Sequence, residues 1–160
     1  MKTLKEKIFS TIDEINDRII EIRHDIHKHP ELSAQEEHTK YLAKGILEAN
    51  GYKIKESEEH YGLIADLIVD ESAKTVAIRA DMDGLPIQEQ TGKPYASVID
   101  GIMHACGHDS HTAIALGAAI AIATHKEELP GNIRFIFQPS EAVSYTHIRA
   151  HETRYTISYA

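Results

Sequence analysis

The first part of the chain carries apolar side chains at helical spacing. Isoleucine and leucine recur every three or four positions between charged side chains, at Leu4, Ile8, Ile12, Ile15, Ile19, Ile22 and Ile26. This spacing predicts one amphipathic helix over about residues 3–28, which Pro30 ends. Ser33 followed by Glu36 has the capping-box pattern and predicts the start of a second helix, which Gly51 closes.

After Gly51 the spacing changes from helical to alternating or continuously apolar runs that are rich in β-branched residues. The elements predicted there are strands over 52–55, 63–69, 75–80 and 133–137, and a buried helix over 110–128. The segment 81–109 reads as a loop because glycine and proline recur in it. Two helices, three strands, a helix and a strand in this order predict an α/β sandwich with some parallel strand pairing.

Composition narrows the class of protein. The chain has 160 residues, of which 42% are apolar and 26% charged, as expected for one globular domain. Its 25 acidic and 17 basic residues give a net charge of −8, which argues against nucleic acid or an anionic membrane as a partner. A single cysteine, Cys106, and the lack of a signal-peptide pattern favour a reducing cytoplasm. Eleven histidines are many for this length and suggest a metal or acid–base site.

The sharpest candidate site precedes the predicted helix 110–128. His104, Cys106 and His108 are spaced two apart, so in an extended loop they would face one way. Imidazole and thiolate together suit zinc or a similar metal, and Gly107 allows a tight turn between two ligands. Asp109 could orient a ligand histidine. The alternative is that these are surface histidines beside a buried free cysteine.

Carboxylates follow two of the predicted strands. Asp81 and Asp83 come at the end of strand 75–80, where ligands bind in α/β sheets, and their spacing allows them to share a side. Glu141 follows strand 133–137, where it could act as a general base. The alternatives are a solvated acidic turn and an acid at a helix start. A capping or structural role is favoured over metal binding for three histidines near the end of the first helix, His24, His27 and His29.

Taken together, four segments in order resemble motifs of the M20 metallopeptidase family, namely 29–39, 79–87, 103–113 and 137–141. The similarity is greatest to amidohydrolases that act on N-acyl amino acids, such as hippurate hydrolase and N-acetyldiaminopimelate deacetylase. The resemblance implies the N-terminal part of a zinc-peptidase-like α/β sandwich with a mixed sheet and flanking helices. It also implies two divalent metals per site, zinc or manganese.

The resemblance carries roles to individual residues. Cys106 and His108 match metal ligands, Asp81 matches the carboxylate close to the metals, and Glu141 matches the general base. The implied reaction is hydrolysis of the amide bond of small N-acyl amino acids or peptides. Family members often dimerise through a lid domain, which we expect to be absent from this sequence.

This sequence also departs from the family pattern. Ala142 stands where the family has a second glutamate that binds metal. Family members are longer, and the residues after Ala142 show no resemblance to them. We therefore expect residues 1–142 to be a partial catalytic domain and 143–160 an unassigned, non-native tail that packs poorly. As a truncated piece, the chain would be weakly active or inactive.

Two other functions stay open. The chain could be a non-catalytic metal-binding or interaction protein derived from a hydrolase domain, which Ala142 favours. A cysteine nucleophile, Cys106 with His108 or His104 as its base, ranks last because a spacing of two in one loop suits that contact poorly.

Overall fold

The computed structural model describes residues 2–144 and the side chains up to Ala142, so the predicted tail lies almost entirely outside the described residues. Its helices are α1 (Leu4–Glu14), α2 (Asn16–Lys28), α3 (Glu37–Ala49), α4 (His108–Thr124) and the single turn α5 (Glu141–Ser144), with a 3-10 turn at Lys126–Glu128. Its strands are β1 (Lys53–Glu56), β2 (Leu63–Leu67), β3 (Thr75–Asp81) and β4 (Asn132–Gln138). All the predicted strands are present, in the predicted order.

The predicted first helix is two helices, so a single helix over 3–28 was wrong. The break lies at Ile15, whose φ of −100° and ψ of 8° leave the helical region. The N–H of Ile15 still donates to Thr11 O, and its carbonyl accepts from Ile19 N–H. Hydrophobic spacing therefore continues across the break and cannot reveal it. A capping box between Thr3 and Glu6 starts α1.

The capping box predicted for Ser33 and Glu36 is wrong, because α3 begins at Glu37 without a side-chain cap from its N-cap residue. The carboxylate of Glu31 takes over this task from the preceding loop. It accepts the N–H of His38 at 2.7 Å and that of Thr39 at 3.0 Å, which satisfies two unpaired donors of the helix start. Ser33 and Glu36 are thereby left for contacts with other segments.

The four strands form one mixed sheet in the order β1-β2-β4-β3. Strands β1 and β2 pair antiparallel, as do β2 and β4, whereas β3 and β4 pair parallel through the crossover that contains α4. The last pair of the parallel register is Asp81 with Gln138. A mixed sheet with flanking helices confirms the predicted fold class.

The core lies between the sheet and the helices. Phe135 and Phe137 alternate inward from β4 and are fully buried. Helix α4 is buried over most of its length, as predicted, although it begins at His108 rather than after Asp109. Gly117 permits close packing of α2, since a Cβ there would lie 2.5 Å from Ile19 Cδ1. Within residues 2–144, no helix is long and apolar enough to cross a membrane.

Candidate active site

Three elements end or begin at one edge of the sheet and bring polar side chains together there. Asp81 is the last residue of β3, His108 is the first residue of α4, and Glu141 begins α5 just beyond β4. Asp81 is 8% exposed and Asp83 is fully buried, so the solvated acidic turn considered for this segment is wrong. Side chains this deeply buried need partners, which His108 supplies to Asp83 and His111 to Asp81.

The ring of His108 is held between these carboxylates. Its Nδ1 lies 3.0 Å from Asp83 Oδ1 and 3.0 Å from the carbonyl oxygen of Asp83. Both are acceptors, so Nδ1 carries the proton and donates it to them. The opposite nitrogen, Nε2, points toward Asp81 Oδ1 at 3.8 Å and Glu141 Oε2 at 3.6 Å. A neutral His108 in this orientation presents the lone pair of Nε2 to the two carboxylates, as a metal ligand does.

His111 adds a second imidazole on the same face of α4, one turn after His108. Its Nδ1 lies 2.6 Å from Asp81 Oδ1, and its side chain is 54% exposed. One potential ligand atom from each of Asp81, His108 and His111 lies within 4.8 Å of the others. Two imidazoles and a carboxylate are ligands that zinc and manganese accept, so these residues fit a divalent metal.

The buried contacts shift two pKa values in opposite directions. Burial opposes ionisation of Asp83, but hydrogen bonds from His108, Ser33 and the N–H of Ala142 outweigh it and lower the pKa to about 2. The hydrogen bond to Asp83 raises the pKa of His108, against the effect of burial. Asp83 therefore stays a carboxylate at neutral pH and keeps orienting the ring.

The turn before Glu141 is fixed from both sides by buried carboxylates. Glu36, fully buried, accepts the N–H of Ser140 at 2.8 Å, and Asp83 Oδ2 accepts the N–H of Ala142 at 2.8 Å. Ser140 has a φ of 58°, a conformation that is unfavourable for a residue with a side chain. Burial raises the pKa of Glu36. These contacts place Glu141 against His108.

The segment before α4 is a turn, so the expectation that His104, Cys106 and His108 face one way was wrong. Gly107, with φ of 90°, closes the turn, and its N–H donates to His104 O at 3.3 Å. His104 and His108 are buried, whereas Cys106 is exposed. Burial lowers the pKa of His104 to about 4. Neither group of three close metal-ligand atoms within residues 2–144 includes Cys106.

Cys106 lines a cleft of about 340 Å³ next to this turn. Asp109, which was expected to orient a ligand histidine, faces that side of the helix. Its Oδ2 lies 2.8 Å from His27 Nδ1 and 3.0 Å from Arg23 Nε. Asp83 orients His108 in its place. The buried contact of His27 with Asp109 agrees with a structural role for that histidine.

The structure thus brings together three of the four predicted site residues: Asp81, His108 and Glu141. Cys106 stays at the exposed turn, and its role as a ligand remains a prediction. Sequence reasoning missed Asp83 as the residue that orients His108 and did not assign His111. Helical spacing carries a signal for the second, because residues three apart share a helix face and α4 begins at His108.

Comparison with known proteins links this arrangement to metal-dependent hydrolases. The sequence profile of Peptidase family M20/M25/M40 matches residues 77–149 and so extends beyond Ala142. The matched range includes all five residues of the candidate site: Asp81, Asp83, His108, His111 and Glu141. An N-acetylcysteine deacetylase of Bacillus subtilis is 47% identical over 128 residues, which are 79% of this chain and 34% of the relative. An N-acyl-L-amino acid amidohydrolase of Geobacillus stearothermophilus is 42% identical over 137 residues, 86% of this chain and 37% of the relative.

A solved structure shares both fold and sequence. It is the Bacillus subtilis YXEP protein, described as a dinuclear metal-binding peptidase from the M20 family, with a TM-score of 0.77 and 45% identity. The similarity covers 82% of this chain and 37% of that one. The chain accordingly spans about one third of the length of these relatives. On the profile match, the sequence identities and the shared fold, the chain belongs to the M20 family of metal-dependent peptidases and amidohydrolases.

Proposed function

We propose that this chain supplies part of a metal-dependent active site that hydrolyses the amide bond of small N-acyl amino acids or peptides. The observation that carries the proposal is the cluster of Asp81, His108 and His111 with Glu141 Oε2 at 3.6 Å from His108 Nε2. The carboxylate of Glu141, which can accept a proton, therefore lies next to a group of potential metal ligands. The names of the relatives support the substrate class.

Each side chain has a proposed task. His108 would bind the metal through Nε2 while Asp83 holds the proton on Nδ1, and Asp81 and His111 would add further ligands. Cys106, exposed at the turn before α4, stays a predicted ligand from the family resemblance. Zinc or manganese, two ions per site in the family, supplies Lewis-acid polarisation of the amide carbonyl. Glu141 accepts a proton from the attacking water at Oε2 and returns it to the leaving nitrogen. The side chain of Glu141 is 16% exposed, so its carboxylate is largely shielded and still accessible to a water molecule.

A second candidate function is metal binding without turnover. Ala142 favours it, since a methyl group cannot coordinate where the family has a ligating glutamate. The N–H of Ala142 donates to Asp83, so the backbone of this position is fixed beside the site while its side chain offers no ligand atom. We expect weak metal binding and poor hydrolysis by this chain for that reason. A reducing cytoplasm, which the single cysteine favours, is also part of the proposal.

The test is a calorimetric titration of the 160-residue chain with zinc and with manganese, beside a hippurate hydrolysis assay. We expect His108→Gln and His111→Gln to weaken binding, Cys106→Ser to weaken it if the thiolate binds, and Glu141→Gln to retain it. Hydrolysis that needs metal and disappears in Glu141→Gln supports the hydrolase. Binding without turnover supports the second candidate, and binding that is insensitive to His108 and His111 contradicts both.

A further inference from the structure

A second cluster of ligand-type side chains lies outside the candidate active site, where α2 meets α3. Asp25 and His29 stand one helical turn apart at the end of α2, and His38 is in the first turn of α3. One potential ligand atom from each lies within 4.8 Å of the others. These three residues share no member with the group of Asp81, His108 and His111.

The distances match those between ligands of one zinc ion. Asp25 Oδ1 lies 3.2 Å from His29 Nδ1, and Asp25 Oδ2 lies 3.1 Å from His38 Nε2. Tetrahedral zinc with bonds near 2.0–2.1 Å separates its ligand atoms by about 3.3 Å. The two imidazole rings are 5.1 Å apart between centroids and face each other edge-on, so both reach the same carboxylate.

Exposure of these side chains suits an open site. Asp25, His29 and His38 are 41%, 40% and 42% exposed, so an ion can enter without unfolding the chain. The neighbouring carboxylate of Glu31 is occupied by the N–H groups at the start of α3, so the three residues supply three ligands and leave one position for water. His29 Nδ1 now donates to Asp25 O at 2.9 Å, and binding would release that proton to solvent.

We propose that Asp25, His29 and His38 form a zinc site that cross-links α2 to α3. Sequence alone favoured a capping or structural role for His29 over metal binding, and the closeness of Asp25 and His38 revises that expectation. The segment between the two helices holds Ser33, whose hydroxyl donates to Asp83 at 2.7 Å, and Glu36, which holds Ser140. A bound ion would fix both ends of this segment and so stabilise the support of the candidate active site.

The test uses the untagged 160-residue chain and zinc alone, in competition with a chromophoric chelator. Asp25→Asn and His38→Gln should each remove one zinc equivalent or weaken it at least about tenfold, since losing even a group that only supports a ligand costs about 10–100-fold. The control is His24→Gln, a histidine of the same helix that stacks on Tyr95 outside the cluster. It should bind zinc as the parent does.

The ring signals of His29 and His38 in NMR spectra supply a residue-resolved measurement. Zinc should shift both signals in the parent and also in His108→Gln, where the candidate active site is damaged. The unfolding temperature should rise with zinc in those two proteins and rise less in His38→Gln, which keeps only the candidate active site. Circular dichroism identifies which variants are folded. If His38→Gln does not fold, Asp25→Asn takes its place as the test variant. Unchanged zinc stoichiometry in the folded variants, with unshifted ring signals in the parent, would overturn the proposal while leaving the proposed hydrolase site untouched.

Discussion

Replacing Asp83 by asparagine isolates the charge that organises the candidate site. The side chain keeps its size and stays in a fully buried position, so no cavity forms. Three donors converge on its two oxygens, namely the ring N–H of His108, the hydroxyl of Ser33 and the N–H of Ala142. An amide offers one oxygen and one NH₂, so the NH₂ must face at least one of these donors.

The size of the effect follows from the pKa of Asp83. A fall from 3.8 in the unfolded chain to about 2 in the folded chain corresponds to about 2.4 kcal/mol of stability. Because the folded pKa is the lower one, this contribution is complete above about pH 4. It is lost as the pH falls through about 2.

His108 sets the other limit of the effect. Its folded pKa is raised above 6.5 by the hydrogen bond to Asp83, so its contribution is complete below pH 6.5 and is lost as the pH rises through the folded pKa. The loss of stability in Asp83→Asn should therefore be greatest between about pH 4 and 6.5. It should shrink on both sides of that window.

Urea unfolding in the presence of EDTA, from pH 2.5 to 8.5, measures this profile without bound metal. At pH 5 we expect Asp83→Asn to unfold with about 2–3 kcal/mol less free energy than the parent. Asp13→Asn, an exposed carboxylate on α1, is the matched control and should change stability by less than about 0.5 kcal/mol. Equal stability of Asp83→Asn and parent at pH 5, or a difference that does not vary with pH, would refute the reasoning.

Three further changes probe other parts of the molecule. Ala142→Glu should strengthen zinc binding in calorimetric titration by adding a carboxylate, and an unchanged affinity would show that position 142 does not face the metal. Glu36→Ala should lower the urea-unfolding free energy by about 1–3 kcal/mol because the N–H of Ser140 loses a buried acceptor, and Glu36→Gln, which keeps an acceptor, should cost less. Burial opposes ionisation of Asp66, but hydrogen bonds from Arg134 lower its pKa. Asp66→Asn should therefore lower the free energy of unfolding above pH 4 and progressively less below it, and a loss that grows in acid would contradict this.

Local spacing in the sequence was sufficient for most elements of the fold. Strands and helices follow from runs whose neighbours lie within one turn or one pleat, and Gly51 and Gly107 both adopt the positive φ that a close turn requires. The break at Ile15 was missed because apolar spacing is the same on both sides of it. Spacing describes which face is apolar and says nothing about a single residue leaving the helical region.

Tertiary contacts overrode local chemistry around the site. Ser33 and Glu36 have the pattern of a capping box, but their side chains serve Asp83 and Ser140, far away in sequence. The family resemblance drew attention to Asp81, His108 and Glu141, and the fold places them side by side. The contact of Asp83 with His108 and that of His111 with Asp81 emerged only from geometry, because the paired atoms belong to different elements.

The parallel register of β3 and β4 also determines when the site forms during folding. Glu141 comes within reach of Asp81 and His108 only after β4 has paired with β3 through the crossover that contains α4, with Asp81 opposite Gln138. A slip of one residue would move one strand by about 3.3 Å and turn its side chains to the opposite face. Such a shift is comparable to the whole separation between His108 and either carboxylate. A metal that binds these residues would therefore stabilise the correctly registered sheet relative to misregistered ones, and it could do so only late in folding.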